Sequence, residues 1–336
     1  MSKILVVGPS WVGDMVMAQS LFMAIRANDP DAAISVLAPG WSAPVLARMP
    51  EVASSIDMPV GHGSLQIGTR RRVAKIIRSM GFDQAIVIPG SLKSALIPWF
   101  ARIPRRTGYV GEQRYGLLND IRKLDKGALP LNVQRYVALA LPRDKGNDVT
   151  FSNPRLEVDA DARNRALQKF SLNPGQPVLG ICPGAEYGPA KRWPAEHFAT
   201  VANAMIDAGH QAWIFGSAND ADVAAQVNHA TGYRCVDLTG QTEIGEAIDL
   251  MSLAASVVTN DSGLMHVAAA VGCRVVAIYG SSSDGFTPPL AENSEQLSLS
   301  LECQPCFKRE CPLKHLDCLN KLEPEMVVRT LVQPAV

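Results

Sequence analysis

The sequence predicts an α/β protein made of two doubly wound parallel sheets, and three observations predict it. Short apolar runs alternate with helical patterns through both halves of the chain. Successive runs lie roughly 20–35 residues apart, the length of a right-handed strand–helix–strand crossover. A polar, turn-rich segment near residues 150–175 separates the two series. At 336 residues the chain also exceeds one ordinary core, so two domains is the natural division.

The elements follow in order. KILVV, AISVLA and QAIVIP read as strands in the first half. Between them MVMAQSLFMAIRA, WSAPVLARM and RRRVAKIIRSMGF carry apolar residues at helical spacing. The second half repeats the pattern. PVLGIC, QAWIFG, SVVTN and RVVAIYG are strands; HFATVANAMIDAG, DADVAAQVNHA, IGEAIDLMSLAA and GLMHVAAAVG are helices. The strands are nearly continuous apolar runs, as a sheet covered on both faces requires. PEMVVRTLVQ near the end reads as a terminal helix. The expected domains are residues 1–160 and 175–336. Their ligand loops lie at the carboxyl ends of the strands, facing each other across a cleft.

A hydrophobic share of 47% with 19% charged residues fits a soluble globular protein. No apolar run reaches the ~18 residues that span a bilayer. The N-terminal run is too short for a secretory signal, so a cytoplasmic location is expected. Net charge is zero, yet residues 1–150 hold 19 Lys+Arg against 11 Asp+Glu, and the remainder holds 13 against 21. A surplus of that size points the first half toward something anionic, or is a chance imbalance of solvated surface.

Seven cysteines, an odd number, fit a reducing compartment better than a disulfide framework. Cys182, Cys235 and Cys273 lie in or beside apolar runs and read as small core residues. Cys303, Cys306, Cys311 and Cys318 are separated by two, four and six residues. That spacing fits a four-thiolate structural zinc site with His315 as a spare ligand, or a set of reduced thiols in a loop-rich tail.

Four loops carry the chemistry. GPSWVGD, residues 8–14, joins the first strand to the first helix. Gly8 and Gly13 stand at P-loop spacing, but Asp14 and Met15 replace the Lys and Ser/Thr that hold phosphate and magnesium. A carboxylate in the first turn of a helix is favoured by the macrodipole. Asp14 thus reads either as a plain N-terminal charge or as a general base for a hydroxyl. CPGAEYGPAKRWP, residues 182–194, offers backbone amides and Lys191 to a diphosphate. In TNDSGLMHVAAAVG, Asp261 or Ser262 can cap the helix, Ser262 and Gly263 offer amides to an anion, and His266 lies one turn on. FGSANDAD offers Asp220 to a ribose diol, a place that Asn219 or Asp222 could fill as well.

These motifs carry a resemblance. A strand followed by GPSWVGD, the loop GAEYGPAKRWP, and NDSGLMHVAAA are similar to the bacterial lipopolysaccharide ADP-heptose heptosyltransferases. RYGLLND, residues 114–120, and SGLMHVAAA most resemble the type II branch of that family. The resemblance implies a GT-B fold of two facing Rossmann-like domains and ADP-heptose as donor. It implies inverting transfer without a metal or other cofactor, onto heptosyl-Kdo2-lipid A. It makes Asp14 the general base and Lys191 the phosphate-binding catalytic lysine, and it places Asp261, Ser262, Gly263 and His266 around the donor, where the loop reading adds Asp220.

On that reading the basic first half meets the acceptor. Gly13, Arg71, Arg72 and Lys93 are the candidate acceptor contacts. Arg70, Arg71, Arg72, Lys75 and Arg78 on one helix would form a basic face holding the protein at the inner leaflet, with no role for nucleic acid. A type I transferase acting on Kdo2-lipid A and a non-catalytic nucleotide-sugar binder remain as alternatives. A nicotinamide enzyme or sugar-nucleotide epimerase would need a dinucleotide fingerprint and a following acidic residue, and neither is present.

Overall fold

The structure, a computed structural model, describes residues 2–61, 63–145 and 148–333. The chain divides into two compact units, Met1–Pro154 and Arg155–Val336.

The first unit contains β1 (Lys3–Val7), α1 (Val12–Asn28), β2 (Ala33–Ala38), α2 (Ala43–Leu46), β3 (Val52–Asp57) and α3 (Ile67–Met80). It continues through β4 (Gln84–Val87), α4 (Leu92–Phe100), β5 (Arg105–Tyr109), β6 (Asp120–Arg122) and α5 (Asn132–Val137). The sheet order is β3-β2-β1-β4-β5-β6 and every pairing is parallel. Leu5, Val7, Leu37, Ala85 and Val87 bury one face of the sheet against Val73 and Ile77 of α3 and Ile97 of α4.

The second unit contains α6 (Ala160–Lys169), β7 (Val178–Cys182), α7 (Ala195–Asp207), β8 (Gln211–Ile214), α8 (Ala221–Ala230) and β9 (Val236–Asp237). Then come α9 (Ile244–Met251), β10 (Ala254–Asn260), α10 (Gly263–Ala270), β11 (Arg274–Ile278), β12 (Ser294–Leu297), α11 (Asp317–Asn320) and α12 (Pro324–Val332). Its order is β12-β11-β10-β7-β8-β9, again all parallel. Each sheet reverses its winding once, between β1 and β4 and between β10 and β7. The loops leaving those strands therefore bound the crevice where doubly wound sheets bind ligands.

Several elements depart from the sequence pattern. WSAPVLARM gives only a 3-10 turn and the four-residue α2. β3 was not expected, because VASSID is mostly exposed and polar, as an edge strand can be. The polar segment that separates the two series contains α6. Asp159 caps it by accepting a hydrogen bond from the Ala162 amide at 2.9 Å, and Lys169 pairs with Glu246 of α9 at 2.8 Å. The segment from Arg155 onward thus belongs to the second unit.

Candidate active site

Asp14 sits in the first turn of α1, directly after β1 and beside the winding reversal. Gly13 next to it is buried. The Tyr136 hydroxyl donates to Asp14 Oδ1 at 2.8 Å and Asn132 Nδ2 donates to the same oxygen at 3.0 Å. Both residues come from α5, four apart and on one face. Lys93 stands in the first turn of α4, after β4, the strand next to β1. The structure thus brings Asp14 and Lys93 to neighbouring loops at one sheet edge.

Arg71 and Arg72 lie on exposed surface of α3. Arg71 stacks over the Phe100 ring at 5.1 Å, and Arg72 donates to Thr69 Oγ1 at 3.2 Å. Arg70 departs from the expected basic face. Its side chain is buried and donates to the carbonyls of Leu65, Lys93 and Ser64 at 2.6, 3.1 and 3.1 Å. Three carbonyls hold a buried guanidinium, so Arg70 ties α3 to α4 rather than facing solvent.

In the second unit the two loops at the winding reversal meet. Lys191, from the loop after β7, forms an ion pair of 2.5 Å with Asp261, which follows β10. Asp261 is only 5% exposed. The Lys191 ammonium also stands 5.1 Å above the Tyr187 ring. His266 is buried on α10. Burial pushes its imidazole down to about 4, with Lys191 adding to that and Asp261 opposing it. His266 is therefore neutral near pH 7 and can donate or accept a hydrogen bond without carrying charge.

Ser262 is the N-cap residue of α10, but its side chain makes no capping hydrogen bond. The Ser262 hydroxyl lies 3.4 Å from Thr259 Oγ1. Gly263 opens the helix, so its first amides stand uncapped by side chains. Asp220 folds back on its own turn, where Oδ2 accepts from the Ser217 amide and hydroxyl at 2.9 and 2.8 Å. Its carboxylate packs on Gly184 so closely that a Cβ there would lie 2.2 Å from Asp220 Cγ. Asp220 therefore borders the Lys191 loop.

The sequence reading missed three supports. Asn260, fully buried, accepts from the Trp193 amide at 3.0 Å and donates to the Pro183 carbonyl at 2.7 Å. It clamps both ends of the Lys191 loop to β10. Its place directly before Asp261 was the available signal. The tail braces the same loop. The Arg309 carbonyl accepts from the Ala190 amide at 3.0 Å and the Phe307 carbonyl from the Tyr187 hydroxyl at 2.8 Å. Gly188 has φ +153° and would place a Cβ 2.6 Å from the Arg309 carbonyl oxygen, which accounts for glycine there. Tyr136 and Asn132, at Asp14, carried no motif at all.

All four tail cysteines are free thiols. Burial raises the Cys318 thiol to about 11, and Cys303, Cys311 and Cys306 add to the shift. Backbone amides, that of Leu316 foremost, lower the Cys311 thiol. Among the described residues no group of three or more His, Cys, Asp or Glu side chains forms a possible metal site. The expected zinc site at Cys303, Cys306, Cys311 and Cys318 thus finds no support. Also among the described residues, no helix is long and apolar enough to cross a membrane.

Two doubly wound units, each with polar residues at its winding reversal, are the class of α/β protein that binds its ligands at the carboxyl ends of the strands. Residues 70–317 match the model of glycosyltransferase family 9 (heptosyltransferase). The chain belongs to that family and is a glycosyltransferase. It is 46% identical to lipopolysaccharide heptosyltransferase 2 of Escherichia coli K12, covering 98% of this chain and 97% of that one. It is 47% identical to lipooligosaccharide heptosyltransferase 2 of Haemophilus influenzae over 88% of each chain. The solved structure of the E. coli ADP-heptose lipopolysaccharide heptosyltransferase II superposes with a TM-score of 0.87 at 43% identity, covering 98% and 97% of the two chains. The α/β fold is therefore of the GT-B type.

Proposed function

We propose that this protein transfers heptose from ADP-heptose to the first heptose of the lipopolysaccharide inner core, the type II step. The observation that carries the reading is the near full-length similarity to type II enzymes from two genera. A type I step is the neighbouring alternative. One type I relative, from Pseudomonas aeruginosa, is 24% identical over 87% of this chain, which favours the type II assignment.

In the proposed mechanism the Asp14 carboxylate takes the proton from the acceptor hydroxyl as its oxygen bonds to the anomeric carbon. The bond from that carbon to the diphosphate breaks in the same displacement, so the configuration inverts. ADP leaves with the electron pair. Lys191 and the uncapped amides at Ser262 and Gly263 meet the developing charge. With a cation and amide dipoles in that place, the step needs no divalent ion. Asp261 orients Lys191 and, with neutral His266 and Asp220, lines the donor side. Gly13, Arg71, Arg72 and Lys93 face the anionic acceptor in this reading. Replacing Asp14 with Ala tests it: ADP affinity should persist while turnover falls at least ~10²-fold. Unchanged turnover overturns the role of Asp14.

The acceptor is a lipid, and the charge distribution supports contact with an anionic leaflet on the cytoplasmic face. Residues 58–111 hold nine Lys or Arg and a single acid, Asp83, which equals the whole basic surplus of the first 150 residues. Arg71, Arg72, Lys75 and Arg78 are exposed on α3. Ile76 of α3 and Trp99 of the adjoining α4 are 61% and 43% exposed. Basic residues interleaved with exposed apolar ones suit peripheral binding to acidic lipid.

A further inference from the structure

We propose that Tyr136, backed by Asn132, is a positioning residue that sets the orientation of the Asp14 carboxylate for proton abstraction. The inference rests on the reading of Asp14 as the general base and adds to it the residues that aim that base.

Three polar groups close a small ring. Asn132 Nδ2 lies 3.0 Å from Asp14 Oδ1 and 2.9 Å from the Tyr136 oxygen, and the Tyr136 oxygen lies 2.8 Å from Asp14 Oδ1. The direction of each bond follows from the chemistry. An amide nitrogen only donates, so the tyrosine oxygen must accept from Asn132 and send its own proton to the carboxylate. The flipped amide would set its oxygen against the carboxylate oxygen, two acceptors facing each other, so the orientation of Asn132 is fixed as well. The Tyr136 hydroxyl keeps its proton. Burial raises its titration well above the ordinary value, and the charge of Asp14 raises it further.

Two donors on one carboxylate oxygen fix both the rotamer and the plane of the group. The ring sits on a rigid base. Tyr136 is buried, and α5 packs along α1. The C-terminal turn of α5 is held by Tyr109, whose hydroxyl donates to the Arg135 carbonyl at 2.8 Å. Arg135 itself donates to the carbonyls of Leu129 and Pro130 at 2.9 and 3.2 Å, fixing the entry to the helix. A simple packing role for Tyr136 would need the ring alone. The hydroxyl adds nothing to packing and spends its only proton on the one acid in the first turn of α1.

The experiment is a double-mutant cycle on the full chain with Tyr136→Phe, Asp14→Asn and both together. It measures turnover, KM for each substrate, the pH profile and the thermal midpoint. Tyr136→Phe keeps the ring and should leave the midpoint and the donor KM near wild type. Turnover should fall about tenfold, the scale of one hydrogen bond to a charged group. The acidic limb of the pH profile should move to higher pH, because a bond favouring the ionised carboxylate is gone. In the Asp14→Asn background the same change should cost nothing further, since its effect passes through Asp14. Asn132→Ala should shift turnover in the same direction by less.

Full turnover in Tyr136→Phe with an inactive Asp14→Asn overturns the positioning role and leaves the base standing. Full turnover in Asp14→Asn overturns the base and the positioning role together. Equal losses from Tyr136→Phe in both backgrounds show that Tyr136 acts elsewhere and also overturn the proposal.

Discussion

Replacing Lys191 with Met should destabilise the second unit by about 3 kcal/mol, because it strands a carboxylate in the interior. Lys191 is paired with Asp261 at 2.5 Å, and their side chains are 17% and 5% exposed. Removing one partner of a buried pair costs roughly 3–5 kcal/mol. The residual exposure of Lys191 places this case at the lower end. In a unit of this size each kcal/mol moves the midpoint about 2–4 °C, so a fall of about 6–12 °C follows. Trp193 and Trp213 are both buried in this unit, whereas Trp11, Trp41 and Trp99 are exposed in the other. The red shift of tryptophan emission therefore follows the second unit during urea or thermal unfolding. Converting Asp261 to Asn in the same chain should recover part of the loss, since the stranded charge is gone. The surface pair Lys169–Glu246, 51% and 24% exposed, is the contrast; Lys169→Ala should cost less than ~1 kcal/mol. If Lys191→Met costs no more than Lys169→Ala, the pair is not a buried one and the reasoning fails.

The remaining predictions are independent of one another. His266 titrates at about 4 in the folded chain, against about 6.5 unfolded. Below that unfolded value the unfolded chain binds a proton that the native site refuses, so stability should fall as pH drops from about 6.5 to about 4, by at most about 3 kcal/mol. His266→Gln should flatten that window in pH-dependent unfolding, and an unchanged slope contradicts the burial assigned to His266. Gly184→Ala should destabilise by about 1–3 kcal/mol through overpacking against Asp220. A neutral effect in unfolding curves would mean that Asp220 moves away freely. Replacing Arg71, Arg72 and Lys75 with Gln should weaken sedimentation with vesicles rich in anionic lipid by about 100-fold, at ~1 kcal/mol per residue. Undiminished binding would remove α3 from the membrane face.

The sheets were legible in the sequence because their central strands are buried on both faces and read as unbroken apolar runs. KILVV, AISVLA and VLGIC lie inside the sheets, and their burial produces the pattern. The edge strands β3 and β12 lack it, since an edge exposes one side and tolerates VASSID and SEQL. α6 hid in a polar stretch because it buries only Ala166, too little to leave an apolar stripe. In the candidate site, the places of residues carried by loops at strand ends were legible: Asp14, Lys191 and Asp261 follow β1, β7 and β10. Their supports were not. Asn260 acts through backbone contacts to the Lys191 loop, distant in sequence. Tyr136 lies 122 residues from Asp14, so only the packing of α5 on α1 reveals the pair. Arg70 misled because three consecutive arginines on a helix look alike until one turns inward.

The central claim is the identity of the acceptor, and transfer from ADP-heptose in the presence of EDTA tests it most directly. Kdo2-lipid A and its mono-heptosylated form would be offered separately, with product read by mass spectrometry. The account predicts transfer to the mono-heptosylated acceptor alone, undiminished by the chelator. Transfer to Kdo2-lipid A, or activity lost to EDTA and restored by a divalent ion, would contradict it.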